Sequence, residues 1–227
     1  MSYDNYAFYT IPQNEQTPEL CLSAVKIDPI SIIHISPQLI TTEIASISLS
    51  DNFGLYEFIP KHILTYEFMK KVLHINPNIF RKINKSEQTY ELCMICVSSI
   101  GELLQYVRED IINYDLCLCA VINDSFAIQY CGKYIDENIC KIAVSDNGVS
   151  IMFIKDEFRT QEIIKLAIKS TFHAIKYLYE NEINEDIIMH TIKIHPNCQS
   201  ELIKIVNIVG KNILIELVKN NKISIEI

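Results

Sequence analysis

From Glu19 onward the hydrophobic and polar positions return in the same order about every 24 residues. The stretch Glu19 to Val25 recurs at Glu43 to Leu49, Glu67 to Leu73, Glu91 to Val97 and Asp115 to Val121, then at Asn138 to Val144, Glu162 to Ile168 and Asp186 to Ile192. Successive starts lie 24 apart, except for one step of 23 between Asp115 and Asn138, which a single deletion in a loop explains. A fixed period of this size is the signature of stacked repeats. Two residues before each start stands Thr17, Thr41, Thr65, Thr89, Asn113, Asp136, Thr160 or Asn184. All are side chains that accept from free N–H groups at a helix start. Seven of the eight copies carry an acid at the start itself, where the helix dipole favours negative charge, and Pro18 stands at a first helical position that needs no N–H.

Apolar residues at the second, third, sixth and seventh positions, as in Leu20, Cys21, Ala24 and Val25, predict a first helix of roughly ten residues buried on most sides. A helix this short is marginal alone in water and must lean on neighbouring copies. The sixth position is small in seven copies (Ala24, Ser48, Cys96, Ala120, Ala143, Ala167, Thr191), which implies close backbone approach there. Nine residues after each start comes a second punctuation, in most copies a turn former or cap: Asp28-Pro29, Asn52, Asn76-Pro77, Ile100-Gly101, Asp124, Asn147-Gly148, Thr171 and His195-Pro196. Beyond it, Leu55, Tyr56 and Ile59, or Leu103, Leu104 and Val107, predict a second helix of roughly eight residues. An aromatic column of Phe58, Tyr106, Tyr130, Phe153 and Tyr177 runs beside it.

The pattern predicts an all-α fold, a right-handed-type α-solenoid of about eight two-helix repeats over residues 17–199. Residues 1–16, with Tyr3, Tyr6, Phe8 and Tyr9, read as an N-terminal cap, and residues 200–227 as a capping helix and tail. Within that tail Gly210 reads as a break or bend, and Lys222 to Ile227 alternates in a way that suits a strand.

The recurring Pro/Thr-Glu-Leu/Ile-Cys-x-x-Ala-Val core, followed by Asn/Asp-Pro/Gly and an aliphatic-x-aromatic-aliphatic segment, resembles a 24-residue helical repeat family of unknown function. That family is common in large DNA viruses of amoebae and in some bacteria. The resemblance is best at Pro18 to Ile35, Glu91 to Val107, Asp115 to Tyr130 and Asn138 to Ile154, and weakest at Glu67 to Ile83 and Asp186 to Leu202. It implies the fold and carries no catalytic residue or ligand.

A formal charge of −8, with Lys and Arg scattered, argues against nucleic acid as a partner. No apolar run approaches the ~20 residues of a membrane span, and the first 16 residues lack the basic start and apolar stretch of a secretory signal. The expected location is cytoplasmic, the host cytoplasm for a viral protein. Eight cysteines raise the question of zinc at Cys93, Cys96, Cys117 and Cys119. The repeat answers it, because Cys93 and Cys117 share a column with Cys21, Cys140, Ala45, Met69, Ile164 and Ile188, where Cys acts as a small hydrophobe. His195 stands where other copies have a turn former, and the acid column belongs to helix starts, so no cofactor, metal or catalytic site is expected.

The expected function is a non-enzymatic scaffold that binds a protein partner. The alternative is a structural component that associates with itself, and an enzyme with an unrecognised site comes third. The candidate surface is the second-helix column that varies between copies: Ile33, Glu57, Arg81, Gln105, Gln129, Met152 and Lys176. Beside it run Ile30, Gly54, Asn78, Glu102, Phe126, Val149 and His173, of which Phe126 and Val149 with Met152 are expected to form an apolar patch.

Overall fold

Each copy opens on a hydrogen bond that its sequence announces. In the computed structural model, which describes residues 8–198, 202–204 and 208–219, all eight predicted capping side chains accept from the backbone N–H three residues on, at 2.8–3.4 Å. Each bond satisfies a donor that the first helical turn leaves without an internal partner. Behind the caps run eight α-helices of ten residues: α1 Pro18–Ile27, α2 Thr42–Asp51, α3 Tyr66–Ile75, α4 Tyr90–Ser99, α5 Tyr114–Asn123, α6 Glu137–Asp146, α7 Gln161–Ser170 and α8 Glu185–Ile194. The described residues are helical, turn or irregular, with no strand among them.

One residue ends each of α1–α8 in the described chain and, in most copies, starts the next element. Asp28, Asn52, Asn76, Asp124, Asn147 and Thr171 are extended, give their N–H to the carbonyl at the sixth helical position, and accept from the N–H two residues on. Ile100 makes the same turn without a side-chain cap.

In the first seven copies the second element is shorter and tighter than the helix the sequence predicts. It is a six-residue 3-10 helix, at Pro29–His34, Phe53–Phe58, Pro77–Lys82, Gly101–Tyr106, Ser125–Tyr130, Gly148–Phe153 and Phe172–Tyr177. The reason lies in a spacing of three: Pro77, Phe80 and Ile83, or Gly101, Leu104 and Val107, eclipse on one side only when the helix has three residues per turn. Phe80, Leu104, Ile128 and Ile151 on that side are almost completely buried. A further three-residue 3-10 turn precedes the next cap at Pro37–Leu39, Lys85–Glu87, Gly132–Tyr134, Asp156–Phe158 and Glu180–Glu182.

The chain divides into two compact units, Met1–Ile111 and Ile112–Ile227. Inside the first, α1 packs on α2, α2 on α3 and α3 on α4, and the 3-10 helices likewise touch one another in sequence. Inside the second the same holds for α5–α8, and a last helix, α9 (Ile208–Lys219), packs on α8. The core is the interior these two helix types share: Cys21, Val25, Leu49, Leu73 and Val97 are 0% exposed, and their counterparts at the third and seventh positions are buried except Ile192, which is half-buried. Close approach at the sixth position is visible at Gly148, where a Cβ would fall 2.0 Å from the Ala167 carbonyl oxygen. Copy three departs from that rule, since Val72 fills the sixth position and is still buried.

At the N-terminal end Phe8 is buried, and Tyr9 lays its ring against His34 at 4.6 Å while its hydroxyl donates to Asp28 at 2.7 Å. Tyr3 and Tyr6 lie outside the described residues, as does Lys222 to Ile227. Gly210 is no break: it is buried in the first turn of α9.

Candidate functional site

The 3-10 helices present the column that varies between copies. In the first unit Ile33 is 40% exposed and Glu57 and Gln105 are exposed, while Arg81 is half-buried. In the second unit Gln129, Met152 and Lys176 are all exposed, with Met152 at 47%. His173 beside them is exposed as well.

Two parts of the expected surface are engaged in joining copies. Arg81 donates to the Tyr106 hydroxyl at 2.6 Å, stacks over its ring at 4.8 Å and pairs with Glu102 at 3.5 Å. Glu57 pairs with Lys82 at 2.7 Å, which holds its carboxyl below the usual carboxylate range. The apolar patch also contracts. Phe126 and Val149 are half-buried, because Phe126 meets Phe153 of the next copy edge-on at 5.8 Å between centroids, leaving Met152 as the exposed member.

The acid column does more than complement helix dipoles. Lys141 pairs with Glu162 at 2.9 Å and Lys165 with Asp186 at 2.6 Å, each lysine reaching the first turn of the next copy's helix. In the first unit Lys70 and the Tyr66 hydroxyl both bond Glu91. The lysine's hydrogen bond comes first among the causes that lower the Glu91 and Asp186 carboxyls. Such bridges are exposed and contribute little singly.

A buried polar column is absent from the sequence-based expectations. The residue just ahead of each cap is Ile or Leu in five copies but Gln16, Gln88 and Arg159 in the others, and these three are at least nine-tenths buried. Gln16 donates to the His34 carbonyl at 2.8 Å and accepts from Ser36 N–H at 2.9 Å. Gln88 does the same with Tyr106 O at 3.0 Å and Arg108 N–H at 2.8 Å. Arg159 donates to the equivalent Tyr177 carbonyl at 2.9 Å, but a guanidinium cannot accept. Glu182 therefore takes the Tyr179 N–H at 2.8 Å and binds Arg159 in a two-pronged pair at 2.8 Å on each prong. Arg159 also donates to Ile151 O at 2.6 Å and lies 4.2 Å from the centre of the Tyr179 ring. A polar residue standing in an otherwise aliphatic column is the signal that marks these sites.

Seven of the eight cysteines are buried and Cys119 is half-buried. Cys21, Cys93, Cys96, Cys117, Cys131 and Cys140 are 0% exposed. Burial pushes the Cys93 thiol up to about 11 and that of Cys140 to about 12, so neither is a ready nucleophile. Among the described residues no group of three or more His, Cys, Asp or Glu side chains is placed to hold a metal. The His195 Nε2 lies 2.6 Å from the Ile168 carbonyl of the preceding helix, as the Asn76 amide lies 3.0 Å from Leu49 O. No helix among the described residues is long and apolar enough to cross a membrane.

No curated protein and no solved structure matches this chain. A family described as a domain of unknown function (DUF4116) matches residues 136–183, about a fifth of the chain. That stretch begins on the cap Asp136 and stops one residue short of the cap Asn184, so it takes in α6, α7 and the 3-10 helices that come after them.

Proposed function

We propose that the chain is a non-enzymatic scaffold, an α-solenoid of 24-residue repeats that offers the outer face of its 3-10 helices to a protein partner in the cytoplasm. The observation that carries this reading is the division of labour within each copy. Caps, third, sixth and seventh helical positions and the three-spaced 3-10 positions are committed to folding, while Gln129, Met152 and Lys176 are exposed and differ from copy to copy. Gln129 bonds within its own 3-10 helix at Phe126 O, so its side chain joins no neighbouring copy through that bond. The family resemblance at the repeat motif is consistent with this and adds no ligand. A net charge of −8 disfavours nucleic acid as the partner.

The test is capture of partners by the full chain and by a Gln129→Ala/Met152→Ala/Lys176→Ala variant of unchanged circular dichroism. The proposed face requires at least one partner to be lost, and an unchanged set rejects it. An extended scattering profile is expected for the solenoid. Exposed Ile30, Ile33 and Phe58 in the first unit, 40–48% accessible, favour self-association as the second reading. A sedimentation coefficient that rises with concentration distinguishes it.

A further inference from the structure

Copy five differs from its neighbours in three ways at one place. It is followed by the single 23-residue step, it contains the one glycine of positive φ among the described residues (Gly132, φ 56°), and its 3-10 helix ends on Cys131 in a helical conformation (φ −78°, ψ −19°) where the other six ends are extended. At that end other copies have Ile35, Ile59, Ile83, Val107, Ile154 or Leu178, and the facing third helical position is Cys in four copies. Copy five alone of these seven has cysteine at both positions. The two face each other: Cys117 Sγ lies 3.8 Å from Cys131 O, and Cys131 Sγ lies 4.0 Å from Cys117 O. We propose that Cys117 and Cys131 join in a disulfide when the protein meets hydrogen peroxide, making copy five a site of reversible thiol oxidation.

The chemistry balances with peroxide as the oxidant. The Cys117 thiolate attacks one peroxide oxygen; an S–O bond forms, the O–O bond breaks, and the departing hydroxide takes a proton to become water. Cys131 then attacks the Cys117 sulfenic sulfur, the S–S bond forms, the S–O bond breaks, and the Cys131 proton leaves with the hydroxide as a second water. Two thiols are oxidised by two electrons and one peroxide is reduced to two waters. The two thiols share a hydrogen bond, which favours the Cys117 thiolate against the opposing effect of burial, and the same two steps balance equally with Cys131 as the first nucleophile. Both sulfurs are buried, so access needs a brief opening, and Gly132 supplies the joint: it is exposed and a Cβ there would meet nothing within 4 Å. The inference stands apart from the scaffold reading.

The experiment treats the full chain with hydrogen peroxide, alkylates remaining thiols under denaturing conditions, and maps linked peptides by mass spectrometry. A Cys117–Cys131 linkage, two hydrogens lighter and released by dithiothreitol, is expected in wild type and in Cys119→Ser. It should vanish in Cys131→Val and Cys117→Ala, which place there the residues other copies use. Both thiols recovered reduced, oxidation ending at sulfinic acid, or a dominant linkage to Cys119 or Cys140 would overturn the proposal. The wild-type map decides even if a variant fails to fold.

Discussion

Gln88 and the Arg159–Glu182 pair bridge corresponding gaps, one in each unit, between the residue ahead of a cap and the end of the next 3-10 helix. Gln88 does so with one neutral side chain that both donates and accepts. At Arg159 the same two backbone groups are met by two opposite charges, one of which must be bound by the other before either is tolerable in the interior. The difference teaches that a fixed backbone geometry does not fix the chemistry that satisfies it. It does fix the penalty for leaving it unmet, because a buried charge without its partner costs more than a buried amide without its own.

The largest expected effect is therefore at the charged site. Glu182→Ala or Arg159→Ala should each destabilise by about 3–5 kcal/mol in chemical denaturation. If Arg159→Gln is combined with Glu182→Ala, one glutamine again faces Tyr177 O and Tyr179 N–H, and most of that loss should return. A double variant no more stable than the single ones would break the equivalence. Gln88→Ala should cost less, about 1–3 kcal/mol, for two orphaned backbone groups. Smaller again, and equal in both units, should be Thr89→Ala and Thr160→Ala, about 1 kcal/mol each, since the cap bond has the same geometry in both.

The mildest effect is electrostatic. Glu91 and Asp186 have folded carboxyls below their ordinary values, so their contribution is complete above the unfolded carboxylate range, about pH 4, and is lost as pH falls through the lowered folded values. Lys70 and Lys141 are raised, so their share is complete below the unfolded lysine range and lost as pH rises through their folded values. Lys70→Met and Lys165→Met should each move the acid-unfolding midpoint to slightly higher pH, and both shifts should shrink in molar salt. Equal shifts at high and low salt would exclude the ion pairs as the cause.

The helix starts are legible in the sequence because a cap is a bond across three residues and depends on nothing distant. The cysteine column is legible for a related reason, since one position compared across eight copies reports its environment. The 3-10 helices are not, because over six residues a period of 3.0 and one of 3.6 place nearly the same apolar groups inside. Arg81 and Glu57 look idle in the sequence because their partners, Tyr106, Glu102 and Lys82, come 25 or fewer residues later, and no local pattern reports that. The burial of Phe126 escapes local pattern in the same way, its cover being Phe153.

The bridging residues have a consequence for how such a chain can grow. Cut one residue ahead of a cap, and Gln88 with Tyr106 and Arg108, or Arg159 with Tyr177, Tyr179 and Glu182, leave together as one segment. A gene duplication with that boundary would carry its lock intact. What it would have to match at the new junction is the set of contacts between segments: the Lys141–Glu162 type of pair, the Arg159 bond to Ile151 O, and the bare backbone approach of Gly148 to Ala167.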